Sequence, residues 1–277
     1  MPDILILSED RSSASEIEKT ARKYDLRVTN VHTLNDAREW LKLRTFIAMC
    51  LPHTTSLADQ EALADLLWRE SPHAYLFVYD LSKDAPHRHE EYRLSGADYI
   101  RGERGLAELD RILSVISKVP VAGPDAMTVM VVEDLDSPRD IICSYIESLG
   151  YPNVVGMPAA KDAIKALEKE PDKYSCVVTD IRMPEIDGRR FIEYIRSHES
   201  LRHLPVIALT AYGTVDTLID CLKAGASGFL VKPPKKRDLT RELARAVRMI
   251  TRGENPRLAT EQEADTIREI LLERGMR

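Results

Sequence analysis

Residues 177–188 read VVTDIRMPEIDG, and the residues before them, from Tyr174, read YSC. The run YSCVVTD is apolar without alternation until it meets an acid, Asp180. A continuous apolar run is the pattern of a strand covered on both faces, as in a parallel sheet under helices. Pro184 and the pair Asp187-Gly188 then signal a turn. The following GRRFIEYIRS, 188–197, sets Phe191, Ile192 and Ile195 on one side of a helix. A buried strand thus delivers a carboxylate to its end and hands over to a helix.

The same alternation extends both ways. Strands are expected at 128–132, near 153–156, in LPVIALT (204–210) and in GFLV (228–231). Helices are expected at about 139–149, 160–170, 188–197, 215–224 and 238–250, the last with a stripe of Leu239, Leu243, Val247 and Ile250. Strands alternating with helices predict a parallel sheet with helices on both faces. The first half repeats the scheme. DILILSED (3–10) answers TVMVVEDLDS (128–137), and SGADYI (95–100) answers AGASGFLVKP (224–233). A period of roughly 125 residues is that of a duplicated domain, not of a solenoid unit. The joint is KVPVAGPDAM, 118–127, where Pro and Gly gather.

Composition narrows the function. The 277 residues are 44% apolar and 30% charged, with a net charge of −6 spread over both halves. That balance argues against a general nucleic-acid surface. No run approaches the ~18 apolar residues of a membrane span. The opening MPDILILSED is acidic and enters a strand at once, so no signal peptide is expected. Cys50, Cys143, Cys176 and Cys221 lack disulfide or metal spacing and are expected reduced, in a cytoplasmic protein.

Open parallel sheets bind ligands at the carboxyl ends of their strands. In the second half those ends carry Glu133 and Asp134, then Asp180, Thr210 and Lys232. Clustered carboxylates repel and call for a cation. Oxygen ligands without His or Cys suit Mg²⁺. With Lys232 adding positive charge, the set can receive a phosphoryl group, with Asp180 as nucleophile and Thr210 as hydrogen-bond donor.

These residues carry a resemblance. From about Met127 to Ile250 the chain resembles the receiver domain of two-component response regulators. The resemblance rests on Glu133-Asp134, DIRMPEIDG from Asp180, LTA ending at Ala211, and KPP from Lys232. It implies two flavodoxin-like, doubly wound α/β domains in tandem, each with a five-stranded parallel sheet. Residues 1–119 would be a degenerate pseudo-receiver, 127–252 a phosphorylatable receiver, and 253–277 a helical tail. It implies that Asp180 is the phospho-acceptor. Asp134 would ligate Mg²⁺ directly, Glu133 through water, and Arg182 through its backbone carbonyl. Thr210 and Lys232 would contact the phosphoryl group, and Thr210 and Phe229 would form a switch. Arg182 and Tyr212 lie where side chains tune dephosphorylation. Glu133 departs mildly from the family's pair of Asp. The implied partners are a histidine kinase or phosphotransfer protein and a downstream protein, with a second copy of the chain also considered. No nucleic acid or membrane is expected. The implied activity is phosphorelay signalling, without catalysis beyond self-phosphorylation and autodephosphorylation.

The first half keeps Glu9-Asp10, but no Asp or Glu occurs between Thr45 and Ser56. The acceptor position falls on or near Cys50, and Tyr79 falls about where Thr210 sits. Cys50 is read as a core-edge thiol, and His87 and His89 as part of a solvated helix start. In the tail, Thr260 and Glu263 form a capping-box pattern before Ile267, Ile270 and Leu271. Lys235, Lys236, Arg237, Arg241, Arg245 and Arg248 read as the wet face of the preceding helix. Two rivals are a phosphorylation-independent scaffold and a fragment of a longer regulator. An aspartyl-phosphate phosphatase would want an acid at Arg182.

Overall fold

The computed structural model describes residues 2–8, 11–118, 124–211, 214–253, 255–273 and 275. The chain divides into two units, Met1–Val121 and Ala122–Arg277. Glu9, Asp10, Tyr212 and part of the 118–127 joint lie outside the described residues.

The second unit runs β6 (Thr128–Val132), α6 (Asp136–Ser148), β7 (Asn153–Met157), α7 (Ala160–Lys169), β8 (Cys176–Asp180), α8 (Gly188–Ser197), β9 (Val206–Thr210), α9 (Val215–Ala224), β10 (Gly228–Val231), α10 (Lys236–Arg252) and α11 (Glu261–Glu273). Numbering starts in the first unit, with β1 (Asp3–Leu7), α1 (Arg11–Arg22), β2 (Arg27–Val31), α2 (Leu34–Leu43), β3 (Ala48–Pro52), α3 (Leu57–Glu70), β4 (Tyr75–Asp80), α4 (His89–Leu94), β5 (Asp98–Arg101) and α5 (Gly102–Ile116).

Both sheets are five-stranded and wholly parallel, in the orders β2-β1-β3-β4-β5 and β7-β6-β8-β9-β10. This is the doubly wound flavodoxin-like order. The central strands β8 and β9 are buried along their whole length, which explains their unbroken apolar runs. Edge strand β7, half open, reads NVVGM instead. On one face of the second sheet, Met130, Val132, Val177 and Ala208 pack with Leu167, Phe191, Ile192 and Ile195. No helix among the described residues is long and apolar enough to cross a membrane.

Caps decide where helices start. Asp187 accepts from Arg190 N–H at 2.8 Å and starts α8, and the Thr214 hydroxyl caps α9. Gly225, at φ 104°, ends α9 in the left-handed region that suits glycine.

Helix α10 departs from the expected wet basic face. Arg245 and Arg248 are only 5% and 4% exposed, and Glu242 2%. Glu242 accepts from both Arg241 and Arg245. It lies over Gly228, where a Cβ would come within 2.0 Å of Glu242 Oε2. A buried carboxylate draws in guanidinium groups because an unpaired one would be costly. Ile250, expected in the apolar stripe, is instead exposed.

In the first unit the buried Asp3 carboxylate pairs with Arg27 and, at 3.7 Å, with Arg44. The corresponding first residue of β6 is Thr128, half-buried and uncharged.

Candidate functional site

Register brings the second unit's polar strand ends together. β6 and β8 are neighbours, with Val132 paired to Thr179, so the residues that follow, Glu133 and Asp180, emerge side by side. This is where strand order reverses, the switch point at which such sheets hold ligands. Asp180 pairs with Leu209, and Thr210 with Val231, so Thr210 and Lys232 reach the same rim. The Lys232 amide donates to the Thr210 carbonyl at 2.8 Å, and the Lys232–Pro233 bond is cis.

The loop after β8 is held tightly. Ile181 N–H donates to the Asp180 carboxylate at 2.7 Å, and Gly188 N–H to the Ile181 carbonyl at 2.9 Å. Glu185 takes a left-handed φ of 63° inside this turn. Gly188 leaves no room for a side chain unless the backbone shifts, since a Cβ would stand 2.1 Å from the Asp180 carbonyl oxygen. The first turn of α8 therefore presses on the end of the strand that carries Asp180.

The site is a compact charge cluster. One carboxylate oxygen from each of Glu133, Asp134 and Asp180 lies within 4.8 Å of the other two. Lys232 Nζ bonds Glu133 Oε2 and lies 3.0 Å from Asp180 Oδ1. Glu133 is fully buried, and its Oε1 has no hydrogen-bond partner among the described residues. Three carboxylates against one ammonium leave excess negative charge, and a buried carboxylate oxygen is left bare. Those residues fit a hard cation with oxygen ligands. Thr210 is buried at the end of β9, and Phe229, half-buried, packs against the Phe191 cluster. Arg182 is exposed beside the mouth.

A cavity of about 600 Å³ opens beside the cluster, lined by Asp134, Arg182, Asp187, Arg189, Thr217 and Asp220. The sequence reading did not anticipate that α9 forms a wall of this cavity. Asp216 and Asp220 recur at helical spacing, which is the one available signal and an ordinary one.

The first unit's rim is different, and register corrects two expectations. Ile6 pairs with Cys50 and Pro52 with Tyr79. Matched strand to strand, the position of Asp180 is held by Pro52, two residues beyond Cys50. The position of Thr210 is held by Asp80, which pairs with Arg101, and not by Tyr79. Tyr79 instead donates its hydroxyl to the Leu7 carbonyl at 2.9 Å. Asp80 accepts from the Ser82 amide and hydroxyl and lies 3.6 Å from His53. Burial pushes the Cys50 thiol up to about 12, consistent with an inert core sulfur.

Residues 129–244 match the family model described as the response regulator receiver domain. Chemotaxis protein CheY-3 of Vibrio cholerae is 33% identical over 107 residues, 39% of this chain and 81% of that protein. Two-component response regulator-like APRR3 of Arabidopsis thaliana is 32% identical over 114 residues, 41% of this chain. The chain spans only 23% of the length of that relative. Among solved structures, the receiver domain of a sensor histidine kinase from Pseudomonas aeruginosa PAO1 is 32% identical. That match covers 44% of this chain and 98% of the other, with a TM-score of 0.40. The chain belongs to the response regulator receiver family, and the matched receiver segment lies in its second unit.

Proposed function

We propose that the second unit is a phosphorylatable receiver that takes a phosphoryl group on Asp180 from a histidine kinase or phosphotransfer protein. The observation that carries this reading is the cluster of Glu133, Asp134 and Asp180 around Lys232, with one buried carboxylate oxygen left bare. An Asp180 oxygen forms a bond to phosphorus as the P–N bond of a phosphohistidine breaks. The electron pair stays on the imidazole, which takes a proton from water. Lys232 neutralises phosphoryl oxygens, and the Thr210 hydroxyl donates to one. Glu133, Asp134, Asp180 and the Arg182 carbonyl would hold Mg²⁺, which supplies further neutralisation when bound. Thr210 and Phe229 act as the switch pair. The chain signals through protein contacts, with self-phosphorylation and autodephosphorylation its only chemistry.

The first unit is a pseudo-receiver in this reading. Pro52 at the acceptor position offers no nucleophile, which supports a binding role without phosphorylation. The test is intact-mass measurement after incubation with a small phosphodonor and Mg²⁺. The parent chain is expected to gain one phosphoryl group and Asp180→Asn none. Equal gain in both would overturn the assignment.

A further inference from the structure

Helix α9 carries more apolar surface than one contact can bury. Val215, Leu218, Ile219, Cys221 and Leu222 are all buried within ten residues. Cys221 and Ala224 belong to the cluster shared with α8 and the sheet. α11 also packs on α9 and buries Ala264, Ile267 and Leu271. The approach is fixed by Leu258 N–H donating to the Ala226 carbonyl at 2.8 Å. A reciprocal Thr260–Glu263 cap then starts α11. The family match ends at residue 244, so α11 is an addition beyond it.

The polar part of the hold on α11 is modest. Among the described residues, its ion pairs to α9, Lys223–Asp265 at 2.9 Å and Arg268–Asp216 at 2.5 Å, join exposed side chains. Such pairs contribute little in water. Arg257, on the approach, meets the half-buried Arg196 beside Gly225, and burial and that neighbour lower the Arg196 pKa to about 10. Like charges therefore meet where the tail turns onto the unit.

The first turns of α9 face two ways. Thr217 and Asp220 line the cavity beside Asp134, while Asp216 holds Arg268 of α11. A phosphoryl group on Asp180 would add up to about two negative charges next to that cavity. It would attract the amino end of α9, which carries partial positive charge, and repel Asp220. Both effects act on the helix that α11 grips.

We propose that the outer face of α9 is an interaction surface whose resident occupant is this chain's own α11. Phosphorylation of Asp180 loosens that occupancy and exposes the face. The inference rests on Asp180 being the acceptor. Coupling of this kind is reciprocal, so undocking α11 favours the phosphorylated form by the same factor.

The experiment is hydrogen exchange on the full chain, treated or untreated with a small phosphodonor and Mg²⁺, with intact mass read on each sample. Exchange across 258–273 should quicken about tenfold in the phosphorylated chain, a usual size for such coupling, and stay unchanged in Asp180→Asn. A phosphorylated chain with unchanged exchange overturns the inference and leaves the acceptor standing. A chain that gains no mass overturns both. A second arm uses Ile267→Asp, which sets a charge into the buried contact with α9 and undocks α11. This variant should exchange faster at 258–273 without a phosphodonor and bind beryllofluoride with Mg²⁺ several-fold tighter by calorimetry. Loosened α11 with unchanged beryllofluoride affinity would also overturn the inference.

Discussion

Glu133 is fully buried, with one oxygen on Lys232 and the other without a partner among the described residues. Lys232 also reaches Asp180, so one ammonium holds two buried carboxylates. Removing one partner of such a set strands charge in a low dielectric. Lys232→Met is therefore expected to lower stability in metal-free buffer by about 3 kcal/mol, and added Mg²⁺ to return part of it. Urea unfolding with and without Mg²⁺ reads both effects, and a variant as stable as the parent without metal would contradict them. The cysteines give a second residue-level expectation. Burial pushes Cys50, Cys176 and Cys221 up to about 12, whereas Cys143 is only half-buried and raised less. The thiolate is the reacting form. Iodoacetamide on the native chain should modify Cys143 first, and early loss of Cys50 would show that its site is more open than its burial implies. The strand-end positions of Glu133, Asp134, Asp180, Thr210 and Lys232 were legible because each ends an apolar run or follows one directly. Pro52 was not, because TFIAMCLPH is apolar throughout and its register comes only from pairing with β1.

Among the elements, α8 and α9 were legible to the residue because Asp187, Thr214 and Gly225 punctuate them. Helix α10 was harder to read. It runs from Lys236 to Arg252, and its buried Arg245 and Arg248 look like surface residues by type. The signal was absent because Glu242 gathers charges over Gly228, a contact made in space between strand and helix. Gly188 controls another close approach. A methyl group there would stand 2.1 Å from the Asp180 carbonyl, which requires α8 to back away from β8. Overpacking of this kind costs roughly 1–3 kcal/mol, so Gly188→Ala is expected to lower stability by about that much. The shift moves the backbone of Asp180 itself, so phosphorylation by a small phosphodonor should slow in the same variant. A thermal melt and a mass time course check the two effects. Normal stability would mean that the loop yields more easily than its hydrogen bonds suggest.

At the scale of the whole molecule, two sheets share one strand order, and their first strands are both five residues long. The fold was legible because parallel sheets covered on both faces leave unbroken apolar runs, and because the run repeats. What repeats can also be confused. As the chain emerges and folds, DILIL and TVMVV are both apolar candidates for the slot between β7 and β8. Repeated domains are prone to this kind of misassembly. Asp3 distinguishes them. In its own sheet its buried carboxylate meets Arg27 and Arg44. In the place of Thr128 it would lack both, and breaking a buried pair costs about 3–5 kcal/mol. Asp3→Thr should therefore cost little in the finished fold, since it leaves behind arginines that are largely open to water, yet reduce the yield of monomer on dilution from urea. Sizing of the refolded material reads the loss, and an undiminished yield would dismiss the idea. The pair at the foot of β1 thus acts as an address, telling one strand which of two similar sheets to join.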